Sequence, residues 1–179
     1  MPALPVTLDQ LVVVGIAEMS ASNSQNVILT TYSLGSCLGI AIYDPVVKVG
    51  GLVHVMLPDS TIDTAKAAKQ PAMFVDTGVA ALFRATYQHR AEKHRMIISV
   101  AGGAQIMDSG ASFNIGSRNH EALKKLLGLH SLAIHHSEVG GMVNRSMRLN
   151  MATGEVRLTV SGQSQEIILC KNLTTTSTK

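Results

Sequence analysis

Short apolar runs that end at turn-forming residues constrain the fold of this chain more than any other feature. Leu38–Asp44 is such a run, and Pro45 closes it, because proline has no amide hydrogen to donate to a strand ladder. Gly50-Gly51 precedes a second run at residues 52–57, which Pro58 closes. Two extended runs joined by a short loop predict a β-hairpin.

Similar β-branched or apolar runs predict strands elsewhere in the chain. They lie at residues 11–18, 26–32, 96–100, 132–136, 145–151, 155–160 and 165–170. Ala152-Thr153-Gly154 suits a three-residue hairpin loop. The Ser/Asn-rich residues 19–25 predict a turn instead.

Two segments predict helices. From Pro71 to about His94, apolar residues recur at helical spacing, which predicts the longest helix. Ser117 would cap a second helix at 118–127. Residues 60–70 are polar and variable, and 108–116 predict a loop rich in Gly, Ser and Asn. Sequential strands with only two helices indicate an α+β fold with a mixed, largely antiparallel β-sandwich core flanked by helices.

Composition limits the classes of function. The 179 residues predict one domain with loosely held tails at 1–10 and 172–179. Aromatic residues make up 3% of the chain, which argues against stacking on nucleic acid bases, and the net charge of +3 is scattered over the surface. No apolar run is long enough to cross a membrane, and no signal peptide is apparent. Two cysteines form no disulfide framework, so we expect a reducing cytoplasm.

Cys37 and His54 are the residues with the most obvious chemical use. A cysteine nucleophile needs a base, donors for an oxyanion, and a third group that orients the base. Gly35 and Ser36 precede Cys37, and a tight turn there would aim backbone N–H groups at a substrate oxygen. From spacing alone, a small buried cysteine and a core histidine are the more common interpretations. Cys170 has no such neighbours and is interpreted as structural.

A geometric condition decides whether the hairpin can join these two residues. Side chains alternate between the faces of a strand, so Cys37 and His54 share a face only if the numbers of paired residues sum to an odd value. Pairing Asp44 with Gly51, or Tyr43 with Gly50, satisfies this condition. Diagonal neighbours are then roughly 7–8 Å apart at the backbone.

We predict no metal and no cofactor. His135 and His136 are adjacent on a predicted strand and therefore face opposite sides. No Cys-x-x-Cys or His-x-x-x-His spacing indicates a zinc site.

Two motifs together resemble the CheD family of chemoreceptor glutamine deamidases. They are Thr31-Tyr32-Ser33-Leu34-Gly35-Ser36-Cys37 and, after Asp44-Pro45, residues 51–60 (GLVHVMLPDS). Gly102-Gly103-Ala104, Ile115-Gly116 with Arg118-Asn119, and Gly140-Gly141 extend the likeness over roughly residues 11–170. Asn144 before Arg145 departs from the Gly-Arg pair that the family often has, in a loop that would contact a receptor or a partner.

The resemblance implies a function and a site. It implies conversion of receptor Gln side chains to Glu with release of ammonia, on a fold like that of glutamine-deamidating bacterial toxins. Cys37 would be the nucleophile, His54 the base and Thr31 the polar third member, with the adjacent Thr30 as the residue most easily mistaken for it. The implied partners are chemoreceptor cytoplasmic helices. An alternative is a non-catalytic adaptor that binds and stimulates a CheC-type phosphatase.

Overall fold

Two five-stranded sheets form the body of the protein. The structure is a computed structural model that describes residues 9–105, 114–171 and 173. Its strands are β1 Gln10–Val13, β2 Met19–Ser22, β3 Val27–Leu34, β4 Leu38–Asp44, β5 Val49–Val55, β6 Ile97–Gly102, β7 His136–Val139, β8 Arg145–Asn150, β9 Val156–Val160 and β10 Ile167–Cys170.

The first sheet has the order β1-β3-β8-β9-β10, and the second has the order β2-β5-β4-β6-β7. Only the β1–β3 and β6–β7 pairings are parallel among the described strands. The predicted α+β fold with a mixed, largely antiparallel sandwich is therefore confirmed.

Strand β4 lies in the middle of the second sheet, and every one of its residues is buried. Leu38, Ile40 and Ile42 contribute to a core shared with the helices. Ala41 and Tyr43 contribute to a second core between the two sheets. Burial on both faces explains why the run is apolar throughout and does not alternate with polar residues.

The described residues form three α-helices, namely α1 Thr64–Lys69, α2 Val75–Tyr87 and α3 Ile115–Leu129, of which α2 and α3 pack against the second sheet. The helix predicted from Pro71 to His94 is wrong in extent, because short 3₁₀ turns occupy 71–73 and 93–95. The longest described helix is α3, which begins before the predicted residue 118. Its N-cap is Asn114, whose side chain accepts from the Ser117 amide at 3.2 Å, so Ser117 is not the cap.

The strand predictions hold best in the hairpins and least well near the edges. Residues 38–44 form β4 as predicted, and the loop 152–154 joins β8 to β9 with Gly154 at φ 71°. The predicted turn at 19–25 is wrong, because Met19–Ser22 pairs with β5. The strand predicted at 11–18 ends at Val13, and the one predicted at 132–136 is found at His136–Val139.

Some predictions concern residues outside the described part of the chain. They are the tail at 174–179, most of the leader at 1–10, and most of the loop at 108–116. None of the helices in the described ranges is long and apolar enough to cross a membrane.

Candidate active site

The β4–β5 hairpin brings Cys37 and His54 to the same face of the second sheet. Tyr43 pairs with Gly50 and Gly39 pairs with His54, so the odd register is confirmed. Extended one residue beyond its last pair, Leu38 with Val55, this register would make His54 the diagonal neighbour of position 37. Cys37 packs against the core between the sheets, on the side toward which the His54 ring points. Gly39, opposite His54, has no side chain to separate the two.

Thr31 reaches His54 from the other sheet. The Thr31 hydroxyl lies 2.7 Å from His54 Nδ1 and donates to Val14 O, also at 2.7 Å. Because a hydroxyl has one hydrogen, Thr31 must accept from Nδ1–H. The imidazole is thereby held as the tautomer that has a lone pair on Nε2.

His54 is fully buried, and its Nε2 has no hydrogen-bond partner among the described residues. Burial lowers the pKa of its imidazole from 6.5 to about 4. The backbone is held on both sides, since His54 N donates to Glu18 O and Ala17 N donates to His54 O. The ring is therefore neutral at pH 7, and its free lone pair can accept a proton.

The turn before Cys37 is held by its carbonyl groups. Ala104 N donates to Gly35 O and Gly103 N donates to Cys37 O, each at 2.8 Å. Asn119 Nδ2 donates to Ser36 O at 3.1 Å. With three consecutive carbonyls bonded to other elements, the turn cannot rotate freely.

The backbone amides of the same turn differ in their hydrogen bonding. Gly35 N donates to Ser33 O at 3.0 Å, and the left-handed backbone in this segment belongs to Ser33, at φ 59°. Within residues 9–105 and 114–171, no backbone carbonyl bonds the amides of Ser36 or Cys37, although the Cys37 amide contacts its own sulfur. Those two amides are the candidates for stabilising an oxyanion.

Burial raises the pKa of the Cys37 thiol above its ordinary value, and a backbone hydrogen bond partly offsets this. Since the imidazole of His54 is disfavoured as a cation, the charged thiolate–imidazolium pair is disfavoured too. Both groups are therefore neutral at rest, and His54 Nε2 makes no hydrogen bond to the Cys37 thiol.

A cavity of about 540 Å³ adjoins Gly103, the residue whose amide bonds Cys37 O. It is lined by four glycines, by the polar residues Gln105, Asn114, Ser117 and His120, and by the apolar residues Val139 and Met142. No carboxylate is among the described residues that line it. This lining can hydrogen-bond a neutral polar group.

Three other sequence candidates lie outside this arrangement. Thr30 is also fully buried, but its hydroxyl donates to Met147 O at 3.2 Å. Cys170 is buried on β10, a strand of the first sheet. His135 Nδ1 accepts from Ile98 N, and no group of metal-ligating side chains occurs in the described ranges.

Two residues of the site were not predicted to act there. Asn119 bonds the Cys37 turn, and its signal in the sequence is a polar residue on the apolar face of a helix. Arg145, next to the unusual Asn144, is buried and pairs with Glu138 at 3.0 Å. Its guanidinium also donates to Gly140 O, so Arg145 supports the Gly140-Gly141 turn.

Comparisons with known proteins agree with the resemblance. The family model described as "CheD chemotactic sensory transduction" matches residues 56–160, a range that begins two residues after His54. A protein of Syntrophus aciditrophicus, "Probable chemoreceptor glutamine deamidase CheD 1", is 46% identical over 151 residues, 84% of this chain and 94% of that protein. "Probable chemoreceptor glutamine deamidase CheD" of Solibacter usitatus is 40% identical over 157 residues, 88% of this chain and 93% of its own.

A model match over more than half of the chain, with relatives of this identity that it covers almost completely, establishes the family. The chain belongs to the CheD family.

Proposed function

We propose that this protein is a protein-glutamine deamidase that converts Gln side chains of chemoreceptors to Glu and releases ammonia. The observation that carries the proposal is the Thr31–His54 hydrogen bond, which leaves Nε2 unprotonated on the face that Cys37 shares. The names of the relatives supply the substrate class.

The first half of the reaction forms a thioester. His54 Nε2 takes the Cys37 thiol proton as the sulfur attacks the carboxamide carbon of the substrate. The amides of Ser36 and Cys37 donate to the oxygen that becomes negative. The imidazolium then returns the proton to the nitrogen, so ammonia leaves and the acyl group stays on sulfur.

The second half hydrolyses the thioester. His54 takes a proton from water, whose oxygen attacks the acyl carbon, and the proton returns to the Cys37 sulfur as it leaves. The sum is one carboxamide and one water converted to one carboxylic acid and one ammonia. Thr31 holds the imidazole in the required tautomer through both steps.

The same chemistry supports a cytoplasmic setting for the protein. Both cysteines of the chain are free thiols. A nucleophilic cysteine must stay reduced, which suits the cytoplasm, where receptor signalling helices would also be accessible.

The test uses both cysteines. Purified wild-type protein, Cys37→Ala and Cys170→Ala are each incubated with a chemoreceptor cytoplasmic fragment. Released ammonia and the mass change of Gln-containing peptides are then measured. We expect wild type and Cys170→Ala to deamidate the receptor, and Cys37→Ala to release ammonia only at the background rate.

Two outcomes would contradict the proposal. Full activity in Cys37→Ala would reject the nucleophile. A wild-type protein that leaves its cognate receptor unchanged, but binds a CheC-type phosphatase and raises its activity, would favour the adaptor function.

A further inference from the structure

We propose that Asn119 is a positioning residue that holds the Cys37 turn and the end of the His54 strand at a defined separation. This inference rests on the proposed function, because it assigns Asn119 to the alignment of that residue pair.

Asn119 occupies a core position on α3. The buried residues of this helix are Gly116, Asn119, Leu123 and Leu127, a spacing that places all four on one face. Leu123 and Leu127 pack in the core between the helices and the second sheet. Asn119 is fully buried as well, so its carboxamide points into the protein.

The carboxamide bonds both arms of the hairpin. Its Nδ2 donates to Ser36 O at 3.1 Å and to Met56 O at 2.9 Å. A carboxamide nitrogen has two hydrogens, so both are used. Ser36 directly precedes Cys37, and Met56 follows His54 by two residues.

These two bonds begin where the strand ladder ends. The last β4–β5 pair is Leu38 with Val55, and the same register would next pair Cys37 with Met56. Both segments instead bond to other groups: Cys37 O accepts from Gly103 N, and Met56 N donates to Met73 O. Asn119 therefore links the two arms beyond the point at which they pair with each other.

Packing alone does not account for an amide at this position. Asn119 Oδ1 is buried and has no hydrogen-bond partner among the described residues, which is unfavourable for folding. A leucine would continue the apolar stripe of α3 without that buried acceptor. The two bonds of Nδ2 are what an apolar side chain cannot replace.

The test distinguishes a loss of alignment between Cys37 and His54 from a loss of protein stability. Asn119→Leu removes both donors and keeps a core side chain, and Asn119→Asp keeps the shape without the N–H groups. Leu123→Ala, one helical turn away on the same face, is the control for destabilisation alone. His54→Ala provides the reference for a cysteine without its base.

Three measurements are made on each variant. Alkylation of Cys37 by iodoacetamide is followed from about pH 6 to about pH 9, across the ordinary thiol range, by mass spectrometry of the Cys37 peptide. Turnover on the receptor fragment gives kcat and KM, and urea unfolding gives stability.

In wild type we expect His54 Nε2 to accept the Cys37 proton as the sulfur is alkylated, and we expect both Asn119 variants to lose this assistance and take the slower alkylation profile of His54→Ala. Their kcat should fall at least roughly tenfold, with KM nearly unchanged, since only proton transfer is misaligned. The double variant with Asn119→Leu and His54→Ala should have the same alkylation profile and the same kcat as His54→Ala alone. Leu123→Ala should unfold at a lower urea concentration than wild type but keep the wild-type alkylation profile.

A wild-type profile and turnover in folded Asn119→Leu or Asn119→Asp would overturn the inference. So would a Leu123→Ala protein whose profile changes as much as theirs. Absence of ammonia release from wild type would contradict the proposed function and not this inference, because the alkylation profiles test the alignment without a substrate.

Discussion

Thr30 and Thr31 show how one strand position separates a site residue from a structural one. Both are fully buried on β3, and each hydroxyl has a partner. Because adjacent strand residues face opposite sides, only Thr31 points across the sandwich to His54. Its bond to Val14 O uses its single hydrogen and so determines the imidazole tautomer.

Replacing Thr31 tests this hydrogen-bond chain. Thr31→Val keeps the shape but leaves His54 Nδ1 without an acceptor, so either ring nitrogen can hold the proton. We expect the deamidation rate to fall about 100-fold, as for a disturbed general base, and Thr31→Ser to retain most activity. Rates on the receptor fragment measure this.

Thr30→Val is the matched control. It removes the one buried hydrogen bond of the Thr30 hydroxyl, where Thr31→Val removes two, and should cost a free energy of unfolding on the order of 1 kcal/mol. Its rate should stay close to that of wild type. Equal rate losses in the two valine variants would mean that the effect is one of folding and not of the tautomer.

The end of β6 determines the conformation of the turn at Cys37. Gly102 pairs with Leu38, and Gly103 N donates to Cys37 O. Gly102 has φ 110°, and a Cβ added there would collide with the Cys37 carbonyl oxygen. Glycine is therefore required both for the backbone conformation and for the approach of the turn.

Gly102→Ala should disturb the turn directly. We expect a loss of roughly 1–3 kcal/mol in the free energy of unfolding from backbone strain, together with loss of most deamidation. Gly128→Ala is the control, because a Cβ at Gly128, near the end of α3, meets nothing within 4 Å. Gly128→Ala should be slightly more stable than wild type. The two variants are compared by urea unfolding and by their deamidation activity at equal folded fractions. A fully active Gly102→Ala would show that the turn does not depend on this contact.

In the whole molecule, the candidate site lies between the two sheets. Thr31 comes from the first sheet, His54 comes from the second, and Cys37 lies in the turn that joins β3 to β4. Burial between the sheets keeps His54 neutral, and this links the chemistry to the folding equilibrium. Since its pKa is about 4 in the folded protein and 6.5 in the unfolded chain, the unfolded chain binds more protons between these values.

Stability should therefore fall as the pH decreases through this window. The contribution of His54 is fully present above pH 6.5 and is lost toward pH 4. From pH 7 to pH 5 we expect wild type to lose about 2 kcal/mol more than His54→Gln, measured by urea unfolding at each pH. Burial also lowers the pKa values of His120 and His136, so the difference between the two proteins isolates His54. Equal losses of stability in wild type and His54→Gln would show that His54 titrates normally in the folded protein.

Periodicity and turn residues were enough to predict the α+β class, the β4–β5 hairpin and the turn at Cys37, because these depend on residues close together in the chain. An odd pairing register was the condition for Cys37 and His54 to share a face; the sequence left odd and even registers open, and the observed register is odd. Contacts between distant segments decided the rest. Met19–Ser22 is polar and forms a strand only because β5 offers it a ladder. Likewise, Thr31 and Asn119 reach the hairpin from β3 and α3. Local patterns describe how one segment buries its own apolar face, whereas a buried hydrogen bond is defined by the partner that packing brings to it.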